Sequence, residues 1–565
     1  MSPFILSKKR IILICIFSTI FIIGTIFIFI TPFSVKSTYG LTTTTTDGVT
    51  IAFNVFEPQN GGINKPAFII GHGIMANKEM LKDYAIELAT TGFVAIPFDF
   101  RGHGQSSAGD PDGMFRDIIA IKEYLNTRGD VNMNSLGYIG YSMGGLGQGL
   151  INNDTDFICF IGVGTGLYNS TKLRLGNSTN PLDILMIQAL FDEAVELDGL
   201  KMNLATRINV PSANDVNVNK IYGSFNEGNA TMIYLDDDSN HLKVAWDVDF
   251  IRLARDWAIN SFDINVIDEN FYANTRAIIL LIQVIGGMGF FFIIIEPFSK
   301  LIVQSKKERK RGVDIDSYKI ESTSLTVKNL SIKAFVYSLV FGIPGILIFI
   351  PLLLILPLAI AGFALALLFG QTFGFIVLLW RIGKKVNTSL IEMITNVFKG
   401  TTRFLKHLAL GTILAAILYI IAYLSVGLNY FALLPSINKF WILPIYFVIL
   451  FFINIIYSLL MQVIIQNKYL DSLQNTLKIF IIGLILPSSY YFIYLLILGF
   501  ILRSFFFLGI FFPIALILFM VNSSTSIMVY KKSGNIIAGA VINAILVAFI
   551  IVTISPSFVG LAFFL

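Results

Sequence analysis

The sequence predicts two unlike parts: an α/β domain built on a mostly parallel sheet, and an all-α bundle of about nine membrane-crossing helices. Three observations predict this division. Of 565 residues, 55% are hydrophobic and only 14% charged, with a mean hydropathy of +0.74, whereas a soluble domain carries roughly 25% charge. Charges return only between residues 40 and 262, where short β-rich runs alternate with amphipathic stretches, as in a sheet flanked by helices. Apolar stretches on either side are long enough to cross a hydrocarbon core about 30 Å thick. The same composition excludes a disordered chain, a collagen and a coiled coil. Two cysteines, Cys15 and Cys159, exclude a disulfide framework or a cysteine metal cluster, and both read as core thiols. The formal charge of +5 is too small to imply a nucleic-acid partner.

Taken in order, residues 1–32 read as an uncleaved anchor. Residues 11–30 are uncharged and follow Lys8, Lys9 and Arg10. A cleaved signal has a shorter apolar core, roughly 7–15 residues, with a small-residue cleavage site, and SVKSTYG is a poor one. Residues 40–262 suffice for one domain with a substantial core. A second span follows at 277–298, then a basic segment at 299–333 that includes Lys306–Arg311, then a polytopic region at 334–565. Its spans are expected near 334–354, 358–380, 408–427, 441–463, 479–500, 504–524 and 536–554. Pro344, Pro351 and Pro357 leave the first pair open to a tight hairpin or a re-entrant segment, and 386–404 reads as an interfacial amphipathic helix.

With the N-terminus in the cytoplasm, inner segments hold 22 Lys/Arg and short outer loops only two, Lys439 and Arg503. The positive-inside rule therefore places residues 40–273 outside the cytoplasm, in a multi-pass protein of the cell membrane. Sequons at Asn153, Asn169, Asn177 and Asn229 are compatible with export. Ionisable groups are scarce near span centres. Glu296 and Arg503 fall at span ends, and Gln283, Gln371, Asn454, Gln462 and Asn543 read as groups that join helices. The expected partner of this half is the lipid bilayer, with an anchoring and scaffolding role.

Chemistry concentrates in residues 136–149, LGYIGYSMGGLGQG. A short apolar strand runs into Gly140-Tyr141-Ser142-Met143-Gly144, followed by a helix-compatible stretch. Gly-x-Ser-x-Gly puts a serine on a strained strand-to-helix turn, where glycine flanks let neighbouring backbones approach. The Met143 N–H and the helix N-terminus would then face developing negative charge. Alone, the segment also fits a glycine-rich turn with an idle serine. Ala67–Ile74 is an apolar strand ending in His-Gly, and the Ile74 N–H is the candidate second oxyanion donor. Phe93–Ser106 is a strand passing into a polar glycine-rich loop, which Asp99, Arg101 and His103 are expected to hold together.

These three segments, in this order and spacing, resemble the α/β-hydrolase superfamily, in particular domains of the dienelactone-hydrolase, serine-aminopeptidase and monoacylglycerol-lipase type. The resemblance covers residues 45–260 and implies the chain order serine, acid, histidine. Of the four histidines only His241 follows Ser142 within the domain, since His72 and His103 precede it and His407 adjoins a span. His241 lies after the strand-like 230–235 and before an expected last helix at 244–258, where family members carry the catalytic histidine. For the acid, Asp192 at the end of the strand-like 182–191 matches the family position, with Asp236-Asp237-Asp238 as the rival. Two departures stand out. A glycine usual near Gln188 or Ala189 is missing, and only Thr165–Pro181 is available for a lid. That stretch is too short for a cap domain, so a shallow pocket lined by Tyr168, Leu173 and Met143 is expected. An extra helix at 195–207 and a hairpin at 221–231 fall between Asp192 and His241.

No zinc-protease or P-loop signature is present. Neither a metal nor an organic cofactor is implied. The expectation is a membrane-bound serine hydrolase with Ser142, Asp192 and His241 as its triad, acting on a small acyl-containing substrate. The competing expectation is a transporter or receptor whose hydrolase fold is a catalytically idle binding module.

Overall fold

The computed structural model describes residues 6–167, 174–303, 326–353, 356 and 358–557. The chain forms two compact units. One comprises Thr25–Leu281, Leu424–Asn438 and the segment from Thr553. After the first long helix, α1 (Lys8–Ile30), come β1 (Val35–Thr44), β2 (Thr50–Pro58), β3 (Lys65–Gly71), α2 (Lys82–Thr91) and β4 (Val94–Phe98). Then follow α3 (Met114–Arg128), β5 (Val131–Tyr141), α4 (Gln148–Ile151), β6 (Phe157–Val163), β7 (Asp183–Phe191), α5 (Leu197–Arg207), β8 (Thr231–Asn240) and α6 (Val248–Phe262).

The eight strands form one sheet in the order β1-β2-β4-β3-β5-β6-β7-β8. Only the β1–β2 and β2–β4 pairings are antiparallel. This is the α/β-hydrolase fold. Its central strands are covered on both faces, which is why they read as near-continuous apolar runs. Alternation assigns the faces. Phe68 and Ile70 of β3 pack with Ile86 and Leu88 of α2 and Phe250 and Trp257 of α6. Ile69 packs on the other side, with Ile118, Ile121 and Leu125 of α3 and Leu200 and Leu204 of α5.

The polar loops after β3 and β4 are held by buried charge, with Asp99 and Arg101 placed in the loop after β4 as expected. Lys78 Nζ lies 2.7 Å from Asp99 Oδ2, and the Lys78 and Gln105 N–H groups donate to the same carboxylate. Arg101 is fully buried and pairs with Asp117 at 2.8 Å and Asp47 at 2.8 Å.

Several expected boundaries move. The last helix begins at Val248 rather than 244, because the Asp247 side chain accepts from the Asp249 N–H and caps it there. Strand β8 does not stop at 235: it continues to Asn240, pairing Ala189 with Asp236 and Phe191 with Asn240 across an irregularity. Cross-strand pairing overrides the acidic composition. The stretch after Ser142 is a 3₁₀ turn, Ser142–Gly147, with a single α-turn, α4, rather than a full helix. Gly144, Gly145, Gly147 and Gly149 explain this, since each costs about 1 kcal/mol relative to alanine in a helix.

The second unit comprises Met1–Gly24, Ile282–Tyr423 and Lys439–Val552. Among the described residues nine helices are long and apolar enough to cross a membrane, from Lys8–Ile30 to Ile537–Ile554. They are compatible with a multi-pass membrane protein. The segment with Pro344 and Pro351 is a helix, Val327–Leu353, followed by a separate one, Ala359–Lys385, each long and apolar enough to cross a membrane. Leu390–Phe398 is a short helix inside the stretch expected to be amphipathic. The Lys306–Arg311 cluster and Pro357 lie outside the described residues. Glu296 accepts from Arg10 at 2.7 Å, Lys300 at 2.5 Å and Lys532 at 2.8 Å. Cys159 is buried in β6, but Cys15 is exposed on α1 and is no core thiol. The apolar run around it is the exposed flank of a span that is 11% buried.

Asp183, 1% exposed at the start of β7, accepts from the Ala230 N–H at 2.8 Å. Burial outweighs that bond and pushes its carboxyl up to about 7. The folded state therefore favours the protonated acid, and stability falls as pH rises from the unfolded value near about 4 through about 7. Asp183→Asn, which keeps an acceptor for Ala230, is expected to be more stable than wild type at pH 8. It should also lose part of the decline in thermal midpoint between pH 5 and 8, read by intrinsic fluorescence.

Candidate active site

The C-terminal ends of β3, β5, β7 and β8 carry the candidate residues, as expected in an open α/β sheet. Ser142 follows β5 with φ +50°, a left-handed conformation rare for a residue with a side chain. Close backbone approach on both sides makes the turn possible. A Cβ on Gly140 would lie 2.7 Å from the Gly144 carbonyl oxygen, and one on Gly144 would meet the carbonyls of Gly71 and, at 2.9 Å, His72. The Tyr138 hydroxyl closes the turn by donating to the Gly144 carbonyl at 2.8 Å.

His241, just beyond β8, is 1% exposed. Its Nε2 is 2.9 Å from Ser142 Oγ, and its Nδ1 is 2.9 and 3.0 Å from the two Asp192 carboxylate oxygens. The Asp192 side chain is fully buried, while Ser142 is half-buried and reachable. With the Nδ1 proton facing Asp192, Nε2 is left to accept the Ser142 hydroxyl proton. The rival acid Asp238 is exposed and pairs with Lys243 at 2.7 Å; Lys243 also reaches Asp247 at 3.2 Å. Asp192 is thus the carboxylate in contact with the imidazole.

The loop after β3 packs against the serine: a Cβ on Gly73 would lie 2.9 Å from Ser142 Cβ, and Ile74 follows directly. His72 orders this loop. Its Nδ1 is 2.7 Å from the Gly73 carbonyl, and its Nε2 is 3.0 Å from the Phe100 N–H. The Phe100 N–H fixes Nε2 as acceptor and so Nδ1 as donor, and burial pushes the imidazole pKa down, favouring that neutral ring. Met143 is half-buried beside Ser142. Tyr168 and Leu173 lie outside the described residues. The later part of the expected lid is tied to the opposite ends of the strands, where β6 and β7 begin: Arg174 donates to the Ile151, Asp154, Phe157 and Pro181 carbonyls.

Two contributors had no role in the sequence reading. Tyr141 stacks on His241 with ring centroids 5.5 Å apart, and its hydroxyl donates to the His241 carbonyl at 2.9 Å. Glu193 accepts from the His241 N–H at 3.2 Å and from Asn240 Nδ2 at 3.2 Å. Their only local signal was adjacency to Ser142 and Asp192. Gln188, where a glycine was expected, instead donates from Nε2 to the Val195 carbonyl at 3.0 Å and closes the turn that presents Asp192.

No protein-family model matches the chain. Two uncharacterized proteins of Mycobacterium tuberculosis, MT2364 of strain CDC 1551 and Rv2307c of strain H37Rv, are each 30% identical to it over 102 residues. That match spans 18% of this chain and 36% of each relative, so the chain covers about a third of the relatives' length. Among solved structures it is similar to a hypothetical protein from Pseudomonas aeruginosa (16% identity, TM-score 0.30, 40% of this chain and 93% of that one). It is also similar to a Pyrococcus furiosus esterase (15%, TM-score 0.30, 40% and 91%) and a CIB-like hydrolase from Thermoplasma acidophilum (15%, TM-score 0.30, 40% and 98%).

The left-handed turn can be weighed without any assay of activity. Ser142→Gly and Ser142→Ala both lose the hydrogen bond to His241, but only glycine is at ease at φ +50°. The glycine variant is expected to be more stable by about 1 kcal/mol in chemical denaturation. An alanine variant of equal stability would show the turn to be unstrained.

Proposed function

We propose that the chain is a membrane-bound serine hydrolase that cleaves an ester, thioester or amide through an acyl-enzyme on Ser142. The observation that carries this reading is the unbroken relay Ser142–His241–Asp192, both links at 2.9 Å, ending on a serine held at a left-handed turn.

In this reaction His241 Nε2 takes the hydroxyl proton as Ser142 Oγ bonds to the acyl carbon. Asp192 holds the Nδ1–H and stabilises the imidazolium. The Met143 and Ile74 N–H groups receive the oxyanion. Collapse breaks the bond to the leaving alcohol, thiol or amine, which departs with the proton from His241. Water then enters, gives a proton to the same nitrogen and bonds to the acyl carbon; the bond to Ser142 Oγ breaks as His241 returns that proton to the oxygen. The products are a carboxylic acid and a restored serine, and the balance needs no other reactant.

The segregation of basic residues supports an active site outside the cytoplasm, with the N-terminus inside. Arg10, Lys300 and Lys532, all counted on the inner side, meet on one carboxylate, Glu296. That meeting agrees with an even number of spans between each pair.

The test is labelling of the full chain by a fluorophosphonate probe, with hydrolysis of p-nitrophenyl esters, thioesters and aminoacyl amides. Wild type is expected to label and Ser142→Ala not to. Asp192→Asn is expected to lose about 10³–10⁴ in kcat by leaving the wrong imidazole tautomer. Folded wild-type protein that neither labels nor turns over any of these substrates would favour the idle binding module. Protease accessibility of residues 40–262 in sealed vesicles tests the sidedness.

A further inference from the structure

The loop bearing Ile74 contains a second strained residue. Met75, next in the chain, has φ +61° and a side chain only 5% exposed. A left-handed residue of this kind costs about 1–2 kcal/mol and persists only when its surroundings hold it from both sides. On one side the holder is His72, bonded to the Gly73 carbonyl and the Phe100 N–H. The Ala76 N–H closes the turn onto the Gly73 carbonyl at 3.2 Å.

On the other side the holder is Asn77, 1% exposed. Its backbone carbonyl accepts from the Met80 N–H at 3.0 Å. Its side-chain oxygen accepts from the N–H of Ala432 at 3.1 Å, a residue 355 positions downstream. Ala432 belongs to Leu424–Asn438, which is part of the same compact unit as the sheet. That segment has its own anchorage. The Lys82 ammonium donates to the Leu428 carbonyl at 3.1 Å and to Asn429 Oδ1 at 2.8 Å. Asn429 Nδ2 in turn donates to the Ser425 carbonyl at 2.8 Å. Leu428–Ala432 is therefore held independently of Asn77 and can serve as a fixed post for it.

We propose that Asn77 is a positioning residue for the Ile74 oxyanion donor, with its side-chain amide fixed by the Ala432 N–H. The proposal rests on the hydrolase reading above. Asn77 is three residues from Ile74, and the strained Met75 lies between them. Releasing the amide lets Met75 relax toward an ordinary conformation, and the Ile74 N–H turns away from the acyl oxygen. The hydrolase module is then completed, on its oxyanion side, by chain that follows five of the long apolar helices.

Removing an oxyanion donor outright costs about 10²–10³ in kcat, so a donor that is displaced but retained should cost about tenfold. The experiment uses the purified full chain with p-nitrophenyl butyrate, rates being expressed per serine titrated by fluorophosphonate. Asn77→Ala and Ala432→Pro, which deletes the N–H, are each expected to lose about tenfold in kcat per titrated serine, with KM within about twofold. Inhibition by a trifluoromethyl ketone, which forms a tetrahedral adduct with an oxyanion, should weaken by about the same factor. Asn77→Asp keeps the acceptor and should retain kcat within about threefold.

A merely structural role would lower the amount of titratable protein and leave kcat per serine and ketone affinity unchanged. That result in Asn77→Ala or Ala432→Pro overturns the proposal, as does loss of all labelling in all three variants. Failure of the hydrolase reading is distinct, because wild type itself then fails to label, and this inference falls with it.

Discussion

The backbone of Ser142 is the constraint on which the rest depends. A side chain at φ +50° is unfavourable by about 1–2 kcal/mol, and nothing in a free peptide would hold it there. Three features hold it. Strand β5 lies centrally between β3 and β6, so its end cannot drift. Gly140 and Gly144 let the chain fold back within contact of itself and of the end of β3. The buried Tyr138 hydroxyl ties the turn to its own strand. The serine is thus aimed by the sheet and by packing, and the short irregular stretch after it contributes little helix dipole.

The imidazole is aimed with equal economy. His241 leaves β8 immediately after Asn240, with Tyr141 stacked on one face and Glu193 holding its N–H. Both holders are sequence neighbours of groups in the relay, Tyr141 of Ser142 and Glu193 of Asp192. A shift of β5 or β7 would therefore move Ser142 or Asp192 together with one of the two supports of His241.

What the sequence made legible follows from the range of the physics involved. The central strands announced themselves because burial on both faces demands apolar runs, as in Ala67–Ile70 and Leu136–Ile139. The elbow announced itself because only glycine tolerates the approach at 140 and 144. His241 could be found because histidine is scarce and the fold imposes an order. Other features rest on partners far along the chain and leave no local mark. Asp236–Asn240 reads as an acidic turn and becomes strand only because β7 offers backbone groups to pair with. The start of α6 depends on which of several residues caps it, and Asp247 won over the apolar pattern beginning at Val244. Cys15 looked like a core thiol because an apolar run has the same composition whether it packs on protein or is exposed. The downstream segments were least legible. Nothing in Leu428–Ala432 or at Ser557 marks them as parts of the unit that holds the sheet, yet the Ser557 N–H donates to the Gly102 carbonyl at 2.9 Å.

The distribution of buried charge explains how such segments are held. A buried ion pair gains little net stability, because desolvation of both groups offsets their attraction. Lys78–Asp99, Arg101–Asp117 and Arg276–Asp83 are nonetheless almost completely buried. Each has at least one partner on α2 or on the loops after β3 and β4, and in those loops the chain (Gly71-His-Gly, Arg101-Gly-His-Gly-Gln) has few apolar side chains with which to fix itself. Directional, charge-assisted bonds supply there the register that packing supplies in the sheet. Lys82 is the exception that shows the cost. Among the described residues no carboxylate is bonded to it; its side-chain nitrogen donates to a carbonyl and an amide and lies 4.8 to 5.8 Å from the ring centroids of Phe29, Tyr39 and Phe56. Burial, with Arg276 nearby, pushes its pKa well down. A group so disfavoured in its charged form stays in place because it is the one donor that reaches Leu428 and Asn429 from α2 among the described residues. The same side chain thereby joins the end of α1, two β-strands and a segment more than 300 residues away in sequence, which no apolar side chain could orient.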